Sequence, residues 1–123
     1  MGSPKKLRDS LAALRDHAMA LPGAHEDFPW GERVVKVDKK VFVFLGRGLD
    51  GDGDIGFGVK LPESGSAMIA RGFAKPSGYG LGKSGWVSIR PTAKEPTFDE
   101  MRGLVDESYA AVATRRRLAQ RGK

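Results

Sequence analysis

No cysteine occurs among the 123 residues, which excludes disulfides, thiolate metal sites and a cysteine nucleophile, and fits a reducing compartment. Long apolar runs are missing too. The longest, Val41 to Leu45, falls far short of the roughly 20 residues a membrane span needs, and the N-terminal segment carries no signal-peptide core. Met1-Gly2-Ser3 resembles the start of a myristoylation site, but Lys6 stands where that motif takes Ser or Thr. The expectation is a cytoplasmic protein with no membrane contact. No internal repeat and no domain-sized linker interrupts the chain, so one domain is expected over residues 1–113, followed by a basic C-terminal extension over residues 114–123.

What the chain does have is positive charge, a net +6, and its position matters more than its size. Residues 1–112 hold 16 basic and 15 acidic side chains, nearly balanced, whereas residues 113–123 hold Arg115, Arg116, Arg117, Arg121 and Lys123 with no acid. A milder asymmetry lies inside the body. Residues 74–94 carry Lys75, Lys83, Arg90 and Lys94 without a carboxylate, and residues 95–112 carry five acids against Arg102 alone.

Periodicity gives the element order. Ser3 reads as a helix cap with Pro4 in the first turn, and Leu7, Leu11, Leu14, Ala18 and Leu21 form one stripe that Pro22-Gly23 stops. Extended segments follow: "HEDFPWG", "RVVKVDKKVFVFL" and "DIGFGVKLP". Asp38-Lys39 between two apolar runs predicts an antiparallel hairpin with Lys39 and Lys40 at its tip. Pro62 to Ala70 reads as a short helix packing Ala67, Met68 and Ile69. Thr97 with Glu100 is a capping box, and Met101, Leu104, Val105, Ser108 and Val112 continue it as a helical stripe. Residues 114–123 have no comparable stripe and are expected to project into solvent or fray. The order describes an α+β domain with two layers: a mainly antiparallel sheet, helices on one face, and the long helices at the two ends.

"SGYGLGKSGWVSIRP" invites a phosphate-loop reading, since Ser77 to Ser84 misses a P-loop by one glycine, and Gly80, Gly82 and Gly85 spell G-x-G-x-x-G. Both motifs require a helix after the glycines. Trp86 to Arg90, ended by Pro91, reads instead as a half-buried strand, so the glycines are expected to form a loop or hairpin feeding it.

Four blocks now carry a resemblance: "LPGAHEDFPWG", "VVKVDKKVFVFL", "GVKLP", and "KPSGYGLGKSGWVSI" followed by "LVDESYAAVA". In their order and spacing the chain resembles the MmcQ/YjbR family of small bacterial proteins over nearly its whole length. The resemblance implies a CyaY-like, secretion-chaperone-like α+β fold. It also implies DNA binding through a double wing of β-hairpins, the description the family carries. The positions matching the family pattern are Pro29, Trp30, Lys36, Lys60, Pro76, Tyr79, Leu81, Lys83, Trp86, Ser108 and Tyr109. Many relatives place Asn near Gly82 and His at Gly85, and any role of those side chains is absent here.

Each candidate site has a plainer reading beside it. Lys83 with Trp86 suggests a phosphate clamp and a stacked base, but a lone Trp in a small domain is more often core, and both Trp86 and Trp30 are expected there. Lys39, Lys40, Lys75, Lys83 and Arg90, with Arg115, Arg116 and Arg117 of the tail, are the candidate contacts to the DNA backbone; the alternative is a solvated surface. Asp50, Asp52 and Asp54 have calcium-loop spacing, yet Ile55 and Leu61 occupy positions where that loop needs Gly and Glu, so a turn is expected and no metal. His25 beside Glu26 and Asp27, with His17 upstream, offers a base without a nucleophile, and adjacent strand residues point to opposite faces. The expectation is a non-enzymatic protein without a cofactor that contacts DNA phosphates non-specifically. Two alternatives remain: a protein-interaction or chaperone-like module forming a homodimer or partner complex, and a small-molecule site near Tyr79, Lys83 and His25.

Overall fold

A computed structural model describes residues 4–46, 49, 55–78 and 81–121. The N-terminal stripe becomes α1 (Pro4–Met19), which buries Leu11, Leu14 and Ala18. β1 (Ala24–Asp27), β2 (Arg33–Val37), β3 (Lys40–Gly46) and β4 (Phe57–Lys60) follow, then α2 (Gly65–Ala70), β5 (Ala74–Pro76), β6 (Trp86–Ile89), α3 (Phe98–Val112) and α4 (Arg115–Arg121). The capping box forms as expected: Glu100 N–H donates to Thr97 Oγ1 at 3.1 Å and Thr97 N–H to Glu100 Oε1 at 2.9 Å.

The strands build one six-stranded sheet in the order β1-β2-β3-β4-β6-β5, every neighbouring pair antiparallel. The β2–β3 hairpin turns at Asp38-Lys39 as its sequence predicts, with Asp38 at φ 55, a left-handed conformation Asp tolerates better than most residues. α1 and α3 pack on one face, where Val35, Val37, Val43, Leu45, Phe57, Val59, Val87 and Ile89 form the core. α2 is shorter than expected. It begins at Gly65, which is buried and lies so close to the sheet that a Cβ there would come within 3.2 Å of Val87 Cγ2; Met68 and Ile69 pack against the core while Ala67 is exposed.

Two register shifts on β3 leave Phe42 and Leu45 as extra residues opposite β2. Each is a β-bulge. They allow Phe42 and Val43, neighbours in sequence, both to join the core, with Phe42 stacked edge-on against Tyr109 of α3 at 5.3 Å between ring centroids. Among the described residues no helix is long and apolar enough to cross a membrane.

Candidate functional site

Strand alternation leaves the second face of the sheet to Phe44, Gly58, Trp86 and Ser88, the neighbours of core residues on β3, β4 and β6. Neither Phe44 nor Trp86 packs into the core cluster. Their rings meet each other instead, centroids 5.1 Å apart at 71°. The expected core placement of Trp86 is therefore corrected: Val87 and Ile89 take the core side of β6, and Trp86 is left partly buried on the face without helices. The cross-strand register lines up Asp27, Val34, Phe44, Gly58, Ser88 and Lys75 in one row, one residue from each strand. Lys60 stands opposite Trp86 in the next row.

Gly58 puts no side chain between Phe44 and Ser88. A depression of about 210 Å³ opens there, bordered by Phe44, Gly56, Gly58, Ser88 and Arg90. A second, of about 350 Å³, continues on the far side of Ser88 between Phe73, Lys75, Arg90 and Thr92. Ser88 shares a hydrogen bond of 3.0 Å with Ser77.

The glycine-rich stretch is not a phosphate loop. Its described part is a single 3₁₀ turn, Leu81–Ser84, and it leads into β6. Gly82 is there for closeness, since a Cβ would lie 2.9 Å from Pro76 Cβ and 3.1 Å from the Ser77 carbonyl. Tyr79, the side chain of Trp30, and Asp50, Asp52 and Asp54 lie outside the described residues.

The C-terminal extension departs most from expectation. Residues 115–121 neither project nor fray but form α4, whose first turn is tied to Thr114 through Arg117 N–H to Oγ1 at 3.3 Å. Three arginines at a helix N-terminus oppose the helix dipole. Asp38 offsets this: Arg117 Nη2 lies 2.7 Å from Asp38 Oδ1, and its Nε is 3.2 Å from both carboxylate oxygens. Leu118 packs against the core, and the Arg121 guanidinium lies 5.5 Å over the Tyr109 ring. Arg117 holds the Asp38 carboxyl below its usual range, and the charges of Arg116 and His25 act on it in the same sense. Arg117 thus ties α4 to the hairpin turn at Asp38, the residue before Lys39 and Lys40, and its side chain passes over Gly23, where a Cβ would lie 2.6 Å from Arg117 Nε.

The sequence-predicted cations consequently form two groups. Lys39, Lys40, Arg115, Arg116 and Arg117 belong to the hairpin tip and α4. Lys75 and Arg90 belong to the open face at the β5–β6 edge, and Lys83 lies in the 3₁₀ turn before Trp86. Lys39, Lys40, Lys75, Lys83, Arg115 and Arg116 make no ion pair with a carboxylate among the described residues. His25 and Lys83 do not share a cleft, because β1 and β6 are four strand spacings apart, about 19 Å. His25 is exposed beside the Gly23 carbonyl, while Glu26 turns to the helix side. There Arg15 grips Glu26 with two bonds of 2.5 and 3.0 Å and Arg33 adds one of 2.6 Å, which together hold its pKa down at about 2.

A depression of about 720 Å³ lies on the helix side between His17, Leu21, Glu63, Asp106, Glu107 and Arg121. Much of its polar lining is already engaged. His17 Nε2 is 2.8 Å from Asp106 Oδ1, and Glu107 accepts the Glu63 and Ser64 amides at 3.0 Å each and the Ser64 hydroxyl at 2.5 Å.

A family model described as YjbR matches residues 19–111, more than half of the chain and the span from the end of α1 nearly to the end of α3. The chain belongs to the YjbR family. No curated protein matches it. Within this YjbR protein several positions of the family pattern have structural duties: Ser108 and Tyr109 are buried, and the Tyr109 hydroxyl donates to the Pro22 carbonyl at 2.6 Å. Lys36 pairs with Asp27 at 2.8 Å, and the Lys60 amide donates to the Ser108 hydroxyl at 2.8 Å. α4 begins after the matched span of the YjbR model ends.

Proposed function

We propose that this YjbR protein is a non-enzymatic DNA-binding module that grips backbone phosphates with the basic knob made by the β2–β3 hairpin tip and α4. What supports the reading is the Arg117–Asp38 pair. It ties α4 to the hairpin turn and uses the one carboxylate of the turn, while the residues that follow Asp38, Lys39 and Lys40, and those that precede Arg117, Arg115 and Arg116, have no acidic partner among the described residues. Exposed cations clustered in this way favour any dense polyanion, and they position without reading sequence. The hairpin contributes one wing of the double wing that the family description carries.

The test is the salt dependence of duplex binding by fluorescence anisotropy. About four neutralised phosphates give a slope of log K against log salt near −4, and reversing Lys39 and Lys40 to Glu removes about two of them from the slope. A slope near zero in the wild-type protein overturns the proposal.

A further inference from the structure

We infer that the open face of the sheet is a second binding surface, a stacking platform for the unpaired bases of single-stranded nucleic acid. The inference rests on the nucleic-acid reading above and extends it to a different strand state and a different set of residues.

Phe44 and Trp86 carry it first. Two large aromatic rings in contact at 5.1 Å, outside the core and on a face that neither α1 nor α3 covers, leave ring surface in water that another flat apolar group can cover. Gly58 extends the space beside them. It keeps the sheet surface flat between Phe44 and Ser88, where any other residue would raise a side chain; a Cβ there would sit 3.4 Å from Phe44 Cβ. The depression this opens admits a planar ring against Phe44, with the Ser88 hydroxyl and Arg90 on its border.

Charge selects the occupant. Lys60 is opposite Trp86 in register, Lys75 is opposite Ser88, and Lys83 lies in the turn that delivers Trp86 to the sheet. Against these, Asp27 is the one carboxylate the described strands place on this face. It lies on the far edge strand, already held by Lys36 at 2.8 Å. An aromatic pair bordered by cations on one side, with hydroxyls between, has the composition of a surface that stacks bases and tracks a phosphate backbone. Duplex DNA does not satisfy it, because paired and stacked bases offer no free ring face to Trp86.

The experiment compares binding of an oligothymidylate of about 15 nucleotides with binding of a duplex of equal length, using wild-type protein and the Trp86→Leu, Trp86→Phe and Lys39→Glu/Lys40→Glu variants. Trp86→Leu is expected to weaken single-strand binding about 5- to 150-fold and to abolish the quenching of tryptophan emission by the oligonucleotide, with Trp86→Phe recovering most of the affinity. Duplex binding should be unchanged by Trp86→Leu and weakened by the lysine reversals. Should Trp86→Leu fail to fold by circular dichroism, Phe44→Leu is read in the same way. Undiminished single-strand binding in the folded leucine variant overturns the inference, as does duplex binding without any single-strand binding, which leaves the phosphate knob standing. Absence of both kinds of binding removes both proposals. A dimer in sedimentation that dissociates on Trp86→Leu assigns the face to a second copy of the chain and likewise overturns the inference.

Discussion

Ser108 of α3 donates its hydroxyl proton to the backbone carbonyl of Phe42 at 2.6 Å, and so closes a gap that a β-bulge opens in the sheet. The β3–β4 pairing is Val43 with Val59 and Phe44 with Gly58. At the next position Phe42 is the bulged residue, and the same hydroxyl accepts the Lys60 amide at 2.8 Å. One fully buried side chain thus satisfies two backbone groups, the buried Phe42 carbonyl and the part-buried Lys60 amide.

Replacing Ser108 by Ala leaves both of those groups without a partner. The expected cost is about 2–6 kcal/mol, since each of the two unpaired backbone groups carries a desolvation penalty of about 1–3 kcal/mol. Urea denaturation measures it. A midpoint unchanged from wild type would show that Phe42 and Lys60 find other partners.

Asp38→Asn keeps a residue that tolerates the left-handed turn at φ 55 but removes the charge that Arg117 grips. Amide hydrogen exchange over Arg115–Arg121 should accelerate, while the central strands keep their protection. The same release should occur on acidification. The Asp38 carboxyl is held below its ordinary value of 3.8 by the Arg117 hydrogen bonds, so docking is complete above that value and is lost as pH falls through the lower, folded one. Exchange that is the same in variant and wild type would mean that Leu118 and Arg121 hold α4 without the ion pair.

Glu26 supplies a larger pH dependence. Its pKa falls from 4.5 to about 2 through its hydrogen bonds to Arg15 first and Arg33 second, and a carboxylate depressed on folding stabilises the native state above its unfolded value. That contribution is present at neutral pH and disappears as pH drops from about 4.5 toward 2. Glu26→Gln should therefore be less stable than wild type at pH 7, with the two thermal midpoints converging over that acidic range. Parallel midpoint curves would show that the two arginines do not discriminate the charged from the neutral form.

Local signals made the helices and the first hairpin legible: the stripe of α1, the Thr97–Glu100 box of α3 and the Asp38-Lys39 turn each lie within a few residues of one another. Sheet order and the bulges were not legible, because they depend on pairings between distant segments. The trace the bulges did leave was Val41 to Leu45, an apolar run with no period-two alternation, in which the extra residues Phe42 and Leu45 turn into the core. Trp86 was misplaced because its size argued for burial, whereas Val87 and Ile89 decide which side of β6 meets the helices. α4 went unread for a related reason. Its anchors, Asp38 for Arg117 and the Tyr109 ring for Arg121, lie elsewhere in the sequence, and Thr114 as the cap was the one nearby sign.

Truncation after Ala113 distinguishes a docked helix from a loose basic arm. A loose arm would take with it only its own charges. Removing α4 also frees Asp38, which then places an uncompensated negative charge between Lys39 and the strand that leads to it. Duplex affinity should fall by more than the loss of Arg115, Arg116 and Arg117 accounts for, and Asp38→Asn in the truncated chain should restore part of it. The restoration is the informative quantity, because adding no cation it can act only by removing repulsion between the turn and a phosphate. If the truncated chain binds equally well with and without the Asp38→Asn substitution, phosphates do not approach the hairpin tip and the grip lies in the arginines alone.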